Sequence, residues 1–342
     1  MATTEDKKMD LNIYSQLVLA VYIFTFLTGL PSNLLAFYTF LMKVRQRPAP
    51  IDILLLNLTV SDIFLLIFLP FKMVEVISDM KWPLSAFLCP LISFFYYSSI
   101  YTSSLFLMAI SIERYLGVAF PIKYNSRRRT AYTVAASVVC WVVSCAQCSI
   151  VYIVQHQVRS LNETVPSTNM TVCYGKFSRR QLQVLLPVRL EAFFLLFFLP
   201  FIVTVFCYVN FVRILVALPK LPARKKQRAV GLTMATLLTF VICFAPYNLS
   251  HVVGFVQNKS PNWRQYALLP STLNASLDPV IFYFSSTAIQ WAFANCLASL
   301  RDKFRVIMTR CCLPCLTRCE KENSEVEAPS RVETGRSIAG LP

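Results

Sequence analysis

Seven apolar blocks, each as long as the hydrocarbon core of a bilayer demands, fix what this chain can become. Crossing about 30 Å of lipid as a helix takes about 20 residues. The blocks run over 14–42, 51–76, 86–120, 130–155, 182–218, 229–256 and 266–286. A soluble fold has nowhere to bury that much apolar surface when only 15% of its residues are charged. Backbone exposed to lipid must satisfy its own N–H and C=O groups, so each block is expected to be a helix. Pro31, Pro70, Pro200, Pro246 and Pro279 lie inside blocks, where neighbouring helices can satisfy the groups a proline frees. The first block is too long for a signal-peptide core and lacks a small-residue cleavage site, so it is read as a retained span. The sequence therefore predicts an all-α membrane protein, a seven-transmembrane helix bundle with a short amphipathic eighth helix. Residues 1–13 are expected outside, 14–286 in the bundle, 287–308 along the membrane, and 309–342 as a cytoplasmic tail. No repeat of 20–50 residues and no inverted symmetry is visible.

Orientation follows from the basic residues of the short loops. Lys43, Arg45 and Arg47, then Lys123 and the arginines at 127–129, then Lys220, Arg224, Lys225, Lys226 and Arg228 all fall on one side. The tail adds Arg301, Lys303, Arg305, Arg310 and Arg318. That side is cytoplasmic, which puts the N-terminus outside. The net charge of +16 is then a topology signal and a contact for anionic inner-leaflet lipid. It does not indicate nucleic acid, because no aromatic residues are interleaved for base stacking. Sequons at Asn162 and Asn169 lie in the outer loop after the fourth span, where glycosylation is expected, and Asn258 carries a weaker one. Asn57, Asn248 and Asn274 also match, but they lie inside spans and are expected to stay unmodified.

The twelve cysteines divide by compartment. Cys89 and Cys173 face the oxidising outside and are expected to pair, the alternative being two free thiols. Cys140, Cys145, Cys148, Cys207, Cys243 and Cys296 read as small packing residues. Cys311, Cys312, Cys315 and Cys319 cluster in the tail. A zinc site would need a second ligand pair, and none is near. Acylation fits better, beside the basic amphipathic stretch at 288–308.

Ionisable residues inside a membrane are costly and point to function. Asp62, Glu113, Arg114 and Asp278 are the clearest. Around them the chain resembles the rhodopsin-like G-protein-coupled receptors along nearly its whole length. The matches are Asn33 in GLPSNLL, Asp62 in NLTVSD, Cys89, Glu113-Arg114-Tyr115, Trp141, Pro200, CFAP ending at Pro246, and Asp278-Pro279 followed by VIF. Phe244, Asp278 and Phe282 depart from the family's usual Trp, Asn and Tyr. This resemblance implies coupling to a heterotrimeric G protein and arrestin binding through a phosphorylated tail. It also implies a switch built from Glu113, Arg114, Tyr115, Phe244, Pro246, Asp278 and Pro279.

A narrower resemblance is to the free fatty acid receptors, the short-chain branch in particular. It rests on SIERYLGVAFP at 111–121, LLPVRLE at 185–191, PYNLSHVVG at 246–254, KSPNWR at 259–264 and LNASLDP at 273–279. It implies a short-chain fatty acid ligand whose carboxylate is held by Arg189 and Arg264, with His251 assisting. The chemistry agrees, since a guanidinium offers a planar fork that matches a carboxylate. Tyr97, Tyr174, Tyr247, Asn248 and Gln147 complete the expected pocket. Gln147 replaces a histidine of short-chain relatives, and Gly175 replaces an acid of one subtype, so preferred chain length stays open.

Blander alternatives are an ion pair of Arg189 with Glu191 or Glu75, and an Arg264 that only snorkels. Lys72 and Glu75, three apart on one helix, are expected to pair. Asp62, Ser103, Asn274 and Asp278 are expected to form a polar nest. Two close carboxylates cannot both ionise cheaply, so a sodium ion or a shared proton would sit there, unless hydrogen bonds alone suffice. No other metal or cofactor is expected. The chain lacks HExxH, GxSxG and P-loop patterns, which argues against an enzyme. The rival readings are a receptor for another small anion, such as a hydroxy acid or nucleotide, and a carboxylate transporter, which would call for broken helices and internal symmetry.

Overall fold

A computed structural model describes Thr4 to Lys303 and Arg305, apart from residues 79, 86, 122–127, 161–172, 174–178 and 220–221. For residues 4–14, 128–129, 151–152, 154–160 and 285 it describes the backbone alone. No strand occurs among the described residues. The helices are α1 Thr4–Gln46, α2 Pro50–Ile77, α3 Leu88–Ala119, α4 Arg128–Ser160, α5 Arg179–Ala217, α6 Ala223–Val256, α7 Arg264–Ser285 and α8 Thr287–Lys303. The first six are each long and apolar enough to cross a membrane on their own. Helix α7 is more polar, carrying Asn274 and Asp278, but both are buried and the helix packs against α1, α2 and α6.

Except for α3, which lies within its block, the helices begin before the apolar blocks do. Helix α6 starts at Ala223, so Arg224, Lys225, Lys226 and Arg228, expected in a loop, lie in its first turns. Hydropathy registers only the stretch suited to lipid. Lysine and arginine are good helix formers, so the helix propagates past that boundary.

Helix α3 is the axis of the bundle, packing against α2, α4 and α5. Its inner faces carry Ser93, Ser98, Ser99, Thr102, Ser103 and Ser104, all buried. Small residues let backbones approach, and their hydroxyls cross-link helices where water is absent. Ser61 Oγ of α2 donates to Ser99 O (2.9 Å), and Ser144 Oγ of α4 donates to Ser98 O (2.8 Å).

The prolines are accommodated as lipid demands. Pro200 has no N–H for the carbonyl four residues earlier, that of Leu196. Helix α5 is π-helical over Phe194–Phe198, and Ser104 Oγ of α3 donates to that Leu196 O at 2.8 Å. Pro279 likewise strands Ala275 O, which receives Asn33 Nδ2 of α1 at 2.7 Å. Gly29, one turn from Asn33, makes the approach feasible: a Cβ there would lie 3.1 Å from Leu66 Cδ2 and 3.2 Å from Ala275 O. Outer-facing side chains such as Phe24, Val138, Phe206 and Ile242 are exposed and apolar, as a lipid-facing surface requires.

Cys89 and Cys173 are disulfide-bonded. With Trp82 and Ile92 they form an apolar cluster that ties the loop after α4 to the start of α3. Of the cysteines expected to pack, Cys140, Cys148, Cys207 and Cys243 are buried and Cys145 is half-buried. Cys296 is exposed, because it lies on α8, outside the bundle spans. From Trp291 on, the chain is a separate unit, helical to Lys303 with Trp291, Leu297 and Leu300 exposed. The tail cysteines at 311–319 and the sequons at Asn162 and Asn169 lie outside the described residues.

Candidate ligand-binding site

Helical spacing places side chains around one cavity near the ends of α3 to α7. Tyr97 and Tyr101 lie one turn apart on α3, as do Tyr247 and His251 on α6. Arg189 projects from the third turn of α5, deeper than a first-turn position, because α5 begins at Arg179. Arg264 is the first residue of α7 and is set by the turn before it. There α6 ends with Lys259 N–H bonding Gly254 O at 3.1 Å, while Asn258 adopts a left-handed φ of 48°. A Cβ on Gly254 would lie 3.2 Å from both Lys259 O and Pro261 Cδ, so this close return needs glycine. The space enclosed, about 600 Å³ with its open mouth, is walled by Tyr97, Tyr101, Arg189, Tyr247, His251 and Arg264, with Gln147 and Cys148 contributed by α4.

The walls hold one another in place. Arg264 Nη2 donates to Tyr247 Oη at 2.6 Å, and its guanidinium lies 5.1 Å from the centre of the Tyr247 ring. Tyr97 stacks on Tyr247, with centroids 6.0 Å apart and planes at 13°. His251 Nε2 and Tyr101 Oη are hydrogen-bonded at 2.8 Å, and the His251 ring sits edge-on to Tyr247. Gln147 Nε2 donates to Val188 O at 3.0 Å, closing the wall between α4 and α5. Two buried ring or guanidine nitrogens, Arg264 Nε and His251 Nδ1, have no hydrogen-bond partner. Among the described residues Arg264 has no carboxylate beside it. Glu75 is taken by Lys72 at 2.9 Å, the expected pair, and Glu191 is exposed. A partly buried cation without a counter-ion, set among aromatic hydroxyls, favours an anion in the cavity.

Two expected residues stand apart. Tyr174 lies outside the described residues. Asn248 is buried, but it donates to Phe244 O of its own helix (2.9 Å) and does not line the cavity. One position beyond Tyr247 is a rotation of about 100° on a helix. Sequence reading passed over Ser93, Phe94, Tyr101, Cys148, Val188 and Ala192, which also line the space. Tyr101 was findable one turn after Tyr97, and Cys148 beside Gln147. Val188 and Ala192 carry no chemical signal of their own.

Residues 32–282 match the family model of the 7 transmembrane receptor (rhodopsin family). The chain belongs to the rhodopsin family of seven-transmembrane receptors. It is 51% identical over 290 residues to free fatty acid receptor 2 of Rattus norvegicus, covering 84% of this chain and 87% of that protein. It is 48% identical to free fatty acid receptor 3 of Mus musculus, covering 83% and 88%. To free fatty acid receptor 1 of Macaca fascicularis it is 34% identical, covering 78% and 90%. Membership makes the protein a multi-pass plasma-membrane receptor that couples to a G protein, and not an enzyme.

Two further polar sites lie deeper in this rhodopsin-family bundle. Asp62 and Asp278 face each other at its centre, 2% and 0% exposed. Ser103 Oγ donates to Asp62 Oδ1 (3.3 Å) and Asn274 Nδ2 to Asp278 Oδ2 (2.7 Å). The Asp62 and Asp278 carboxyls can bond each other only when one of them carries a proton. With both ionised, Asp62 Oδ2, Asp278 Oδ1 and Asn274 Oδ1 have no donor, so the nest holds more acceptors than donors. Towards the cytoplasm, Arg114 interacts with Tyr208 of α5, which also neighbours Thr236 of α6. Tyr115 meets Phe206 edge-on, and Phe244 packs on Phe240 at 5.3 Å. Helix α6 runs unbroken through Pro246.

Proposed function

We propose that the protein is a cell-surface receptor for short-chain fatty acids, and that the ligand carboxylate is gripped by Arg189 and Arg264 with His251. The observation that carries this reading is Arg264. It is held by Tyr247, has no carboxylate beside it among the described residues, keeps an unspent Nε, and shares one cavity with Arg189 and His251. Rings on α3 and α6 and the Gln147–Val188 contact crowd the cavity, which favours a tail of a few carbons over a long chain. The relatives named free fatty acid receptors support the ligand class.

An anion between α5 and α7 would draw Arg189 and Arg264 together and bias α6, which carries Tyr247 and His251. Outward motion of α6 about Pro246 must break two bonds at its cytoplasmic end: Lys226 Nζ to Val216 O of α5 (2.8 Å) and Arg228 Nη2 to Phe284 O of α7 (3.1 Å). It would also part Tyr208 from Thr236 and free Arg114 for the G protein. The acceptor-rich nest of Asp62, Asn274 and Asp278 suits a sodium ion or a shared proton that favours the resting arrangement. Arrestin binding through the phosphorylated tail, acylation of Cys311, Cys312, Cys315 and Cys319, glycosylation of Asn162 and Asn169, and inner-leaflet lipid contacts complete the proposal. The test is nucleotide exchange on G protein in receptor-bearing membranes across straight-chain acids of increasing length. Acids of a few carbons should activate, and a receptor silent to all of them ends this reading.

A further inference from the structure

The ligand cavity has a neighbour. A second space, about 1100 Å³ with its open mouth, lies among α1, α2, α3 and α7. Three residues line both spaces: Tyr97, Tyr247 and Arg264. They form the partition, with the two rings stacked and the guanidinium clamped onto Tyr247.

On the far side of the partition stand Lys72 and Glu75, 7% and 4% exposed, 2.9 Å apart. Lys72 Nζ also lies 3.5 Å from Ser93 Oγ, itself on the wall of the inner cavity. Its charge therefore sits close to the boundary between the two spaces. A buried ion pair rarely improves stability over packed apolar residues, and intramembrane charge points to function. Among the described residues of the outer wall, Lys72 and Arg264 against Glu75 leave one positive charge in surplus. Ser260, Asn262 and Gln265 add polar groups there, so this space suits a charged head more than an acyl tail.

We propose that the outer cavity is a second carboxylate-binding subsite, in which a small carboxylate is held between Lys72 and Arg264 before it passes Tyr97 and Tyr247 to reach Arg189. Arg264 serves both sites, one on each side of Tyr247. The ligand thus moves along a line of cations and is never released into an apolar space. The inference rests on the protein being a carboxylate receptor.

The test is saturation-transfer NMR of propionate on purified full-length receptor, comparing wild type, Arg189→Ala, and Arg189→Ala with Lys72→Gln. Arg189→Ala disables the inner site, and a saturable propionate signal should persist. Adding Lys72→Gln should weaken that residual binding at least tenfold. Lys72→Gln leaves Glu75 unpaired, so the triple variant that also carries Glu75→Gln guards against misfolding, and it should lose the signal equally while melting as its parent does. Loss of all saturable binding in Arg189→Ala overturns the proposal, as does residual binding indifferent to Lys72. No saturable binding to wild type would sink the receptor reading itself, and this inference with it.

Discussion

Arg264→Ala probes the ligand site most directly. The substitution removes a charged donor that holds Tyr247 at 2.6 Å, a cation–π contact at 5.1 Å, and the proposed grip on the carboxylate. A hydrogen bond to a charged group contributes about 1.5–3 kcal/mol, and the ring contact adds about 0.5–1 kcal/mol. Part of the ring contact is already present without ligand, so it cancels between the free and bound receptor. The net loss in agonist binding is therefore about 2–3 kcal/mol, which is about 30- to 150-fold in potency. The measurement is a propionate concentration–response curve for nucleotide exchange at matched surface expression. Two further substitutions separate grip from positioning. Arg264→Lys keeps the charge but loses the fork, and should fall in between. Tyr247→Phe keeps the stack on Tyr97 while freeing Arg264 to wander, and should cost about 1 kcal/mol, or about fivefold. An Arg264→Ala receptor as potent as wild type would refute the placement of the carboxylate here.

Three other outcomes are expected. Asn33→Ala strands Ala275 O beside Pro279 and should lower stability by about 1–3 kcal/mol. Restoring the missing N–H in the double variant with Pro279→Ala should recover part of it, and additive losses in thermal melting would contradict the proposed exchange of donors. Replacing sodium by a bulky organic cation at equal ionic strength should raise agonist affinity in wild type but not in Asp62→Asn; equal affinities in both media for wild type argue against a bound ion. Glu113, adjacent to Arg114 and expected to hold it at rest, is the restraint, so Glu113→Gln should raise basal nucleotide exchange, while Arg114→Ala should keep propionate binding and abolish exchange. An Arg114→Ala receptor that exchanges nucleotide normally removes Arg114 from the switch.

Lipid makes the architecture legible and the site only partly so. A span must be apolar for about 20 residues whatever it packs against, so all seven spans were visible as blocks. Helix α7 was the hardest, because Asn274 and Asp278 dilute its hydropathy, and only the bundle interior explains their burial. The helix ends were misplaced for the complementary reason: beyond the bilayer, helix propensity decides, and the basic start of α6 satisfies it. Arg189 and the Lys72–Glu75 pair were legible because a charge in an apolar block has no cheap structural explanation; Arg264, just before the seventh block, and His251 were singled out through the resemblance. Val188 and Ala192 were not, since an aliphatic residue in a span is usually packing. The π-turn of α5 lay between these cases. Pro200 announced a frayed carbonyl at Leu196, but that Ser104 would supply the donor depended on α3 crossing at that level, a tertiary fact.

The same exchange of donors bears on how the receptor moves. At Pro200 and Pro279 the carbonyl freed by the missing N–H is bonded by another helix: Leu196 O by Ser104, Ala275 O by Asn33. Those bonds couple α5 to α3 and α7 to α1 through side chains and not through continuous helix. A side-chain donor can rotate away at a cost of about 1–3 kcal/mol, whereas bending an intact helix breaks several backbone bonds that lipid cannot replace. Helix α6 differs. Pro246 strands Ile242 O on an exposed face, and its neighbours hold it elsewhere, through Ser271 Oγ to Cys243 O (2.7 Å) and the two cytoplasmic bonds of Lys226 and Arg228. Its bend is therefore opposed by a few separable contacts at its middle and its inner end. The proposed ligand site lies at the opposite end, where Tyr247, His251, Arg189 and Arg264 line one cavity. A carboxylate that forms two charge-assisted bonds only in the active arrangement, at about 1.5–3 kcal/mol each, would outweigh those contacts, because only bonds that differ between the two states shift the switch.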